Sequence, residues 1–155
     1  VKLSSPSNQA PDRVTRAVHL VLPGDSNHYG NLFGGTAMAW MDEAAFVAAT
    51  RHARSKVVTV HADALDFRHP VPQGSIVELA AWVSSTGRTS MRLEVEMWVE
   101  PMDKEERVLA CRAGFVMVAV GPDGKPVPVP PLEEGHPRQP KRDRAPGQSG
   151  SPRGV

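Results

Sequence analysis

The chain has 155 residues, a formal net charge of +1 and 40% hydrophobic side chains, which fits one domain with a packed core and excludes an integral membrane protein. No apolar run approaches the ~18–20 residues of a spanning helix, and no region is basic enough to make nucleic acid the main partner. The single cysteine, Cys111, has no intramolecular disulfide partner; within an alternating apolar run it reads as a buried, inert thiol in a reducing, cytoplasmic setting.

In chain order, residues 1–13 are polar, carry Pro6 and Pro11 and do not read as a secretory signal, so a flexible N-terminus is expected. A strand is predicted over 14–22, then a loop over 23–29 rich in Gly, Asp, Ser and Asn. Residues 36–54 hold many alanines and neither glycine nor proline, which predicts one long helix. Strands follow at 57–67 and 76–84, separated by the turn-forming run 68–74. The next strand, 91–99, alternates cleanly: Met91, Leu93, Val95, Met97 and Val99 share one face, and Arg92, Glu94, Glu96 and Trp98 the other. A last strand covers 108–120. Nine of the fifteen prolines lie in 122–155. The stretch 126–131 reads as extended along the surface, and 133–155 as a disordered Pro/Arg-rich tail. The domain is thus expected over 14–132, as an α+β arrangement of one helix against an antiparallel sheet. So small a sheet leaves edges that need cover, which argues for an oligomer.

On a helical wheel Met38, Ala45, Phe46, Ala49 and Ala53 fall within about 60° of Asp42, whereas Glu43, Thr36, Thr50 and Arg54 gather on a polar side. A carboxylate centred on the apolar stripe is expected to face the core or a pocket, where ionisation is costly without partners. It either caps a neighbouring loop or does chemistry. Just before the helix stands Gly30-Asn31-Leu32-Phe33-Gly34-Gly35. The paired glycines either let the chain turn tightly or let a ligand approach the backbone. Free N–H groups of the first turn, with the helix dipole behind them, favour a developing oxyanion.

The run Asn27-His28-Tyr29-Gly30-Asn31-Leu32-Phe33-Gly34-Gly35, followed by Met38-Ala39-Trp40-Met41-Asp42-Glu43-Ala44-Ala45, resembles the acyl-CoA thioesterases of the hotdog fold, the group that includes the brain acyl-CoA hydrolases. Val57-Val58-Thr59-Val60, Phe67-Arg68-His69-Pro70-Val71, Gly87-Arg88-Thr89-Ser90 and Gly121-Pro122-Asp123-Gly124-Lys125-Pro126 extend the likeness over about 14–131. The resemblance implies a long central helix wrapped by an antiparallel sheet of five or more strands. It also implies subunits paired through their sheets, active sites at the dimer interface, and assembly into trimers of dimers.

It further implies hydrolysis of acyl-CoA to free acid and CoA. Asp42 would be general base or nucleophile, Asn31 of the facing subunit would complete the site, and backbone N–H groups near Gly34 and Gly35 would hold the oxyanion. Phe33 is expected beside the acyl chain and Thr59 across from the carboxylate. Arg68, Arg88, Thr89 and Ser90 are expected to contact coenzyme A. The thioester is the substrate, and no further cofactor is expected. The six histidines lack the tight spacing of a zinc site, and neither Ser26 nor Ser90 lies in a G-x-S-x-G elbow. Two other readings stand beside this one: a hydratase on the same fold, for which His28 is the candidate base, and a non-catalytic acyl-CoA-binding protein.

Overall fold

The computed structural model describes residues 13–133; the expectations for 1–12 and for the tail from 134 onward lie outside the described residues. The elements are β1 (Thr15–Leu20), a single 3-10 turn (Pro23–Asp25), α1 (Gly34–Ala53), β2 (Lys56–Phe67), β3 (Ile76–Thr86), β4 (Ser90–Glu100) and β5 (Val108–Val120). All strand pairings are antiparallel, in the order β1-β3-β4-β5-β2. The architecture is the expected one, a long helix on a five-stranded antiparallel sheet. The strand order follows from no local pattern, because it places the strand directly after the helix at the far edge.

Alternation does most of the work in the sheet. Met91, Leu93, Val95, Met97 and Val99 of β4 are all buried, as are Ala113, Phe115, Met117 and Ala119 of β5. Against this floor α1 lays Ala37, Met41, Ala44, Ala45, Ala48 and Ala49. A face of alanines around one methionine brings the helix axis close to the sheet. The helix ends with Arg54 in the left-handed region at φ 50°, its N–H donating to the Thr50 carbonyl. Arg51 and His52 stand in the last turn, where the dipole favours cations.

Beyond β5, the extended stretch from Pro126 is strapped across the open side of the core. Val127 N–H donates to Ala119 O and Val129 N–H to Arg88 O, both at 2.9 Å, and Val129 is buried. The Pro130 carbonyl lies 2.6 Å from His52 Nε2. Arg13 and Glu133 form an ion pair that joins the two ends of the described region. No helix among the described residues is long and apolar enough to cross a membrane.

The helical wheel misplaced the buried stripe. Buried positions centre on Met41, which is fully enclosed, whereas Phe46 is 43% exposed and Asp42 only half-buried. The stripe is therefore rotated by about one residue, some 100°, and Asp42 lies at its margin. Alanine-rich sequence hides this: with apolar residues on every side of the wheel, the face that meets the sheet is chosen by fit.

Candidate active site

Asp42 faces β2. Thr59, in the first half of that strand, donates its hydroxyl to Asp42 Oδ1 at 2.9 Å. One carboxylate oxygen is thereby fixed and the other remains available. Thr59 is exposed, as are Val58 and Val60 on either side, so the pair lies on a surface that the protomer itself leaves open.

The helix N-terminus is built as the glycine run suggested. Phe33 occupies the N-cap with no side-chain hydrogen bond, and the first helical bond runs from Ala37 N–H to the Phe33 carbonyl. The N–H groups of Gly34, Gly35 and Thr36 thus have no intrahelical acceptor. A cleft of about 300 Å³ opens there, lined by Leu32, Gly34, Ala37, Phe67, Arg68 and Val71 among others. A β-carbon on Gly34 would come within 3.8 Å of the Phe67 ring. Phe33 is half-exposed beside the same turn.

The loop leading in is organised by Asn27, which opens the motif run but to which the sequence assigned no role. Asn27 Oδ1 accepts the N–H of Tyr29 at 3.0 Å and of Asn31 at 3.1 Å, while Asn27 N–H donates to the Asn31 carbonyl at 2.8 Å. Gly30, at φ +76°, supplies the left-handed turn between them. The signal was available: an asparagine three residues before a glycine is a turn former. Asn31 is tied in through its backbone and bridges to Pro72.

Not all candidates converge within one protomer. Gly34 lies eight residues before Asp42 on one helix, about 12 Å along its axis, too far for both to act on the same carbonyl at ~3 Å. Arg68, at the end of β2, lines the N-terminal cleft and pairs with Asp66 at 2.8 Å. Arg88 and Thr89 of the β3–β4 turn and Ser90, the first residue of β4, stand at the opposite end of the sheet. Ser90 pairs there with Val118 of β5, and Val118 with Val58 near the start of β2. Thr89 gives its carbonyl to Ala119 N–H and Arg88 its carbonyl to Val129 N–H. Cys111 is buried, as expected, and burial pushes its thiol up to about 11.

Two contacts had no local signal in the sequence. His19 of β1 stacks on Trp40 of α1 at 4.2 Å, and Arg92 of β4 forms a two-point ion pair with Asp63 of β2.

Residues 29–106 match the thioesterase superfamily. The chain is 40% identical over 115 residues to an uncharacterized acyl-CoA thioester hydrolase of Zymomonas mobilis, covering 74% of this chain and 77% of that one. It spans 64% of a Bacillus subtilis acyl-CoA thioester hydrolase and 31% of the cytosolic enzyme of Rattus norvegicus. Among solved structures, a hexameric acyl-CoA thioesterase superposes with a TM-score of 0.76 at 42% identity, covering 78% of each chain. The Staphylococcus aureus acyl-CoA hydrolase, seen with butyryl-CoA, coenzyme A and coenzyme A disulfide, superposes at 0.75 with 35% identity, covering 78% of this chain and 74% of that one. Solved variants of that enzyme replace an aspartate, a threonine and an asparagine, each by alanine. With this match over half its length and a relative it largely covers, the chain belongs to the thioesterase superfamily and has its hotdog fold.

Proposed function

We propose that the chain hydrolyses acyl-CoA thioesters to free acid and coenzyme A, at sites each built from two protomers. One observation carries the reading. Asn27, Asp42 and Thr59 have the same separations along this chain as the three residues replaced in the Staphylococcus aureus enzyme. Two of them, Asp42 and Thr59, are hydrogen-bonded here. The spacing favours Asn27 over Asn31 as the asparagine of the site.

The two-protomer arrangement is supported by distance and by the open edge. Among the described residues β2 pairs with β5 alone and exposes Val58, Val60, Leu65 and Phe67. Isologous pairing of this edge about a two-fold runs the strand antiparallel to its copy. The Phe67 end of one protomer then meets the Lys56 end of the other. The cleft and free N–H groups of one helix N-terminus, with Asn27 and Arg68, approach Asp42, Thr59 and the Arg88–Ser90 turn of the partner. That removes the ~12 Å separation. Hexameric relatives support three such dimers in one assembly, and the cytosolic relatives support a cytoplasmic setting.

In this arrangement Asp42 takes a proton from water, and the hydroxide adds to the thioester carbonyl. The N–H groups of Gly34 and Gly35 hold the oxyanion, and collapse expels coenzyme A thiolate, which takes up the water-derived proton from the Asp42 carboxyl and leaves the free acid. Alternatively Asp42 attacks directly; an anhydride forms with loss of the thiolate and is then hydrolysed. Thr59 fixes the carboxylate in either route. Arg68 and Arg88 offer charge to the phosphates, and no cofactor beyond the substrate enters.

The test is thiol release from short- to long-chain acyl-CoAs by wild type, Asp42→Asn, Asn27→Ala, Asn31→Ala and a mixture of unlike variants. Asp42→Asn should lower kcat by about a hundred- to ten-thousand-fold with the assembly intact. Co-refolded Asp42→Asn and Asn27→Ala should recover about a quarter of wild-type activity, because each mixed dimer regains one intact site. No recovery would place the site inside one protomer. No release from any acyl-CoA by wild type would favour a binding protein.

A further inference from the structure

We propose that Arg92 is a positioning residue for this reaction: reaching across β5 above Gly114, it clamps Asp63 and so holds β2 in the register that sets Thr59 against Asp42. The inference rests on the role given above to the Thr59–Asp42 pair.

The strand that carries Thr59 is poorly held. It is an edge strand, with nearly every residue exposed. Its pairing with β5 shifts between Thr59 and His61 and again between Asp63 and Asp66. Ala64, inside the second irregularity, sits at φ +50°, a conformation L-residues other than Asn and Asp avoid. The two irregularities divide the strand's pairing into three short regular stretches, 56–59 with Thr59 at its end, 61–63 and 66–67, and a slip of one residue would turn Thr59 to the other face of the sheet.

The clamp takes hold of the middle stretch, 61–63, and fixes it between the two irregularities, directly after the stretch that ends in Thr59. Arg92 Nη1 donates to Asp63 Oδ2 at 3.1 Å and Nη2 to Oδ1 at 2.8 Å, a bidentate fork. Arg92 Nε donates to Glu94 Oε1 at 3.2 Å, which aims the guanidinium along β4 toward Asp63. His61 Nε2 lies 3.5 Å from Asp63 Oδ2 on the far side.

The pair belongs to strands that do not touch. β5 runs between them, and the residue at the crossing is Gly114, in register with both Asp63 and Glu94. A β-carbon there would stand 2.4 Å from Arg92 Nη2 and 2.5 Å from Asp63 Oδ1. Glycine inside a strand weakens it and marks a close approach; here the approach is the guanidinium–carboxylate bridge. Burial does not explain the arrangement, since both side chains are about one-third exposed. Their common effect is to tie the edge strand to the middle of the sheet from the outer face, while Thr59 works toward the helix.

A double-mutant cycle on the assembled enzyme tests this. Arg92→Met should lower kcat by about tenfold in the wild-type background and by less than about twofold with Thr59→Val present, because both changes break one device. KM and assembly mass should stay within about twofold of wild type. Restoring the charge with Arg92→Lys should recover little, since lysine lacks the fork. If Arg92→Met does not assemble, Asp63→Asn, which keeps the shape and removes the charge, replaces it in the cycle. Equal losses in both backgrounds would overturn the proposal, leaving Arg92 a general stabiliser. A silent Thr59→Val would overturn both the proposal and the role given to the Thr59–Asp42 pair.

Discussion

Strands β2 and β3 are nearly equal in length, at 12 and 11 residues, and similar in apolar content, yet they live in different surroundings. β3 lies between β1 and β4 under the helix, with Val77, Leu79, Ala80, Ala81 and Trp82 buried. β2 buries only Val57 and leaves Val60 56% exposed. The comparison separates two kinds of apolar residue that a hydropathy pattern treats alike. Those of β3 hold the protomer together; those of β2 are spare, and the residues around Asp42 stand beside them. Folding and the proposed catalysis therefore draw on different strands and can be damaged separately.

The largest effect is expected in the first region. Leu79 of β3 is fully buried, and Leu79→Ala should destabilise the protein by about 2–5 kcal/mol through lost transfer and a cavity, read from urea unfolding. The matched change in the second region is Val60→Asp. It should leave the protomer's secondary structure in place and reduce the assembly to monomers. Thiol release should fall at least about a hundredfold as the base loses the oxyanion donors. Sedimentation with activity on one sample checks this. Monomers of full activity would show that the site is complete within one chain.

The same contrast explains what was legible beforehand. β4 and β5 were readable because burial on one face writes a period of two into the residues, and they fall where the alternation of Met91–Val99 and the run 108–120 put them. β2 and β3 were readable as apolar runs bounded by turn residues, which says nothing of how much of each is buried. The helix was readable from its alanines, though those alanines blurred its facing and moved Asp42 from the stripe's margin to its centre. What crosses the sheet was not legible. The strand order, the Arg92–Asp63 bridge over Gly114 and the His19–Trp40 stack depend on residues 21 to 29 or more positions apart, and no local pattern records such pairs. The glycine-rich entry to the helix was visible. That Asn27 organises it was missed because attention fell on Asn31, whose backbone Asn27 in fact holds.

A smaller effect should come from acid. The Arg92 guanidinium bonded to Asp63 holds its carboxyl below the usual carboxylate range, with His61 assisting. A depressed folded-state value means stability that is present above the unfolded value, about 3.9, and is lost as pH falls through the folded one. Wild type should therefore lose more stability between pH 5 and pH 3 than Asp63→Asn, compared by urea midpoints at each pH. Parallel losses would mean that the bridge holds no more tightly in the folded chain than in the unfolded one.

The smallest effect lies on the seam between the two regions. Cys111 of β5 is fully buried, but its strand partner is Phe67 at the end of β2. Burial, with Asp66 adding to it, pushes the thiol up to about 11, against about 8.5 for a free cysteine. At pH 8 the native chain should thus react with iodoacetamide at least about a hundredfold more slowly than the urea-unfolded chain. Cys111→Ala itself should leave turnover within about twofold of wild type, since the buried thiol takes no part in the proposed chemistry. The labelling rate then sharpens the comparison. If β2 is held mainly by its partner's edge, Val60→Asp should speed alkylation of Cys111 by releasing the Phe67 end. If β5 alone holds β2, the rate should not move, and the loss of activity in that variant would come from the missing partner rather than from a loosened strand.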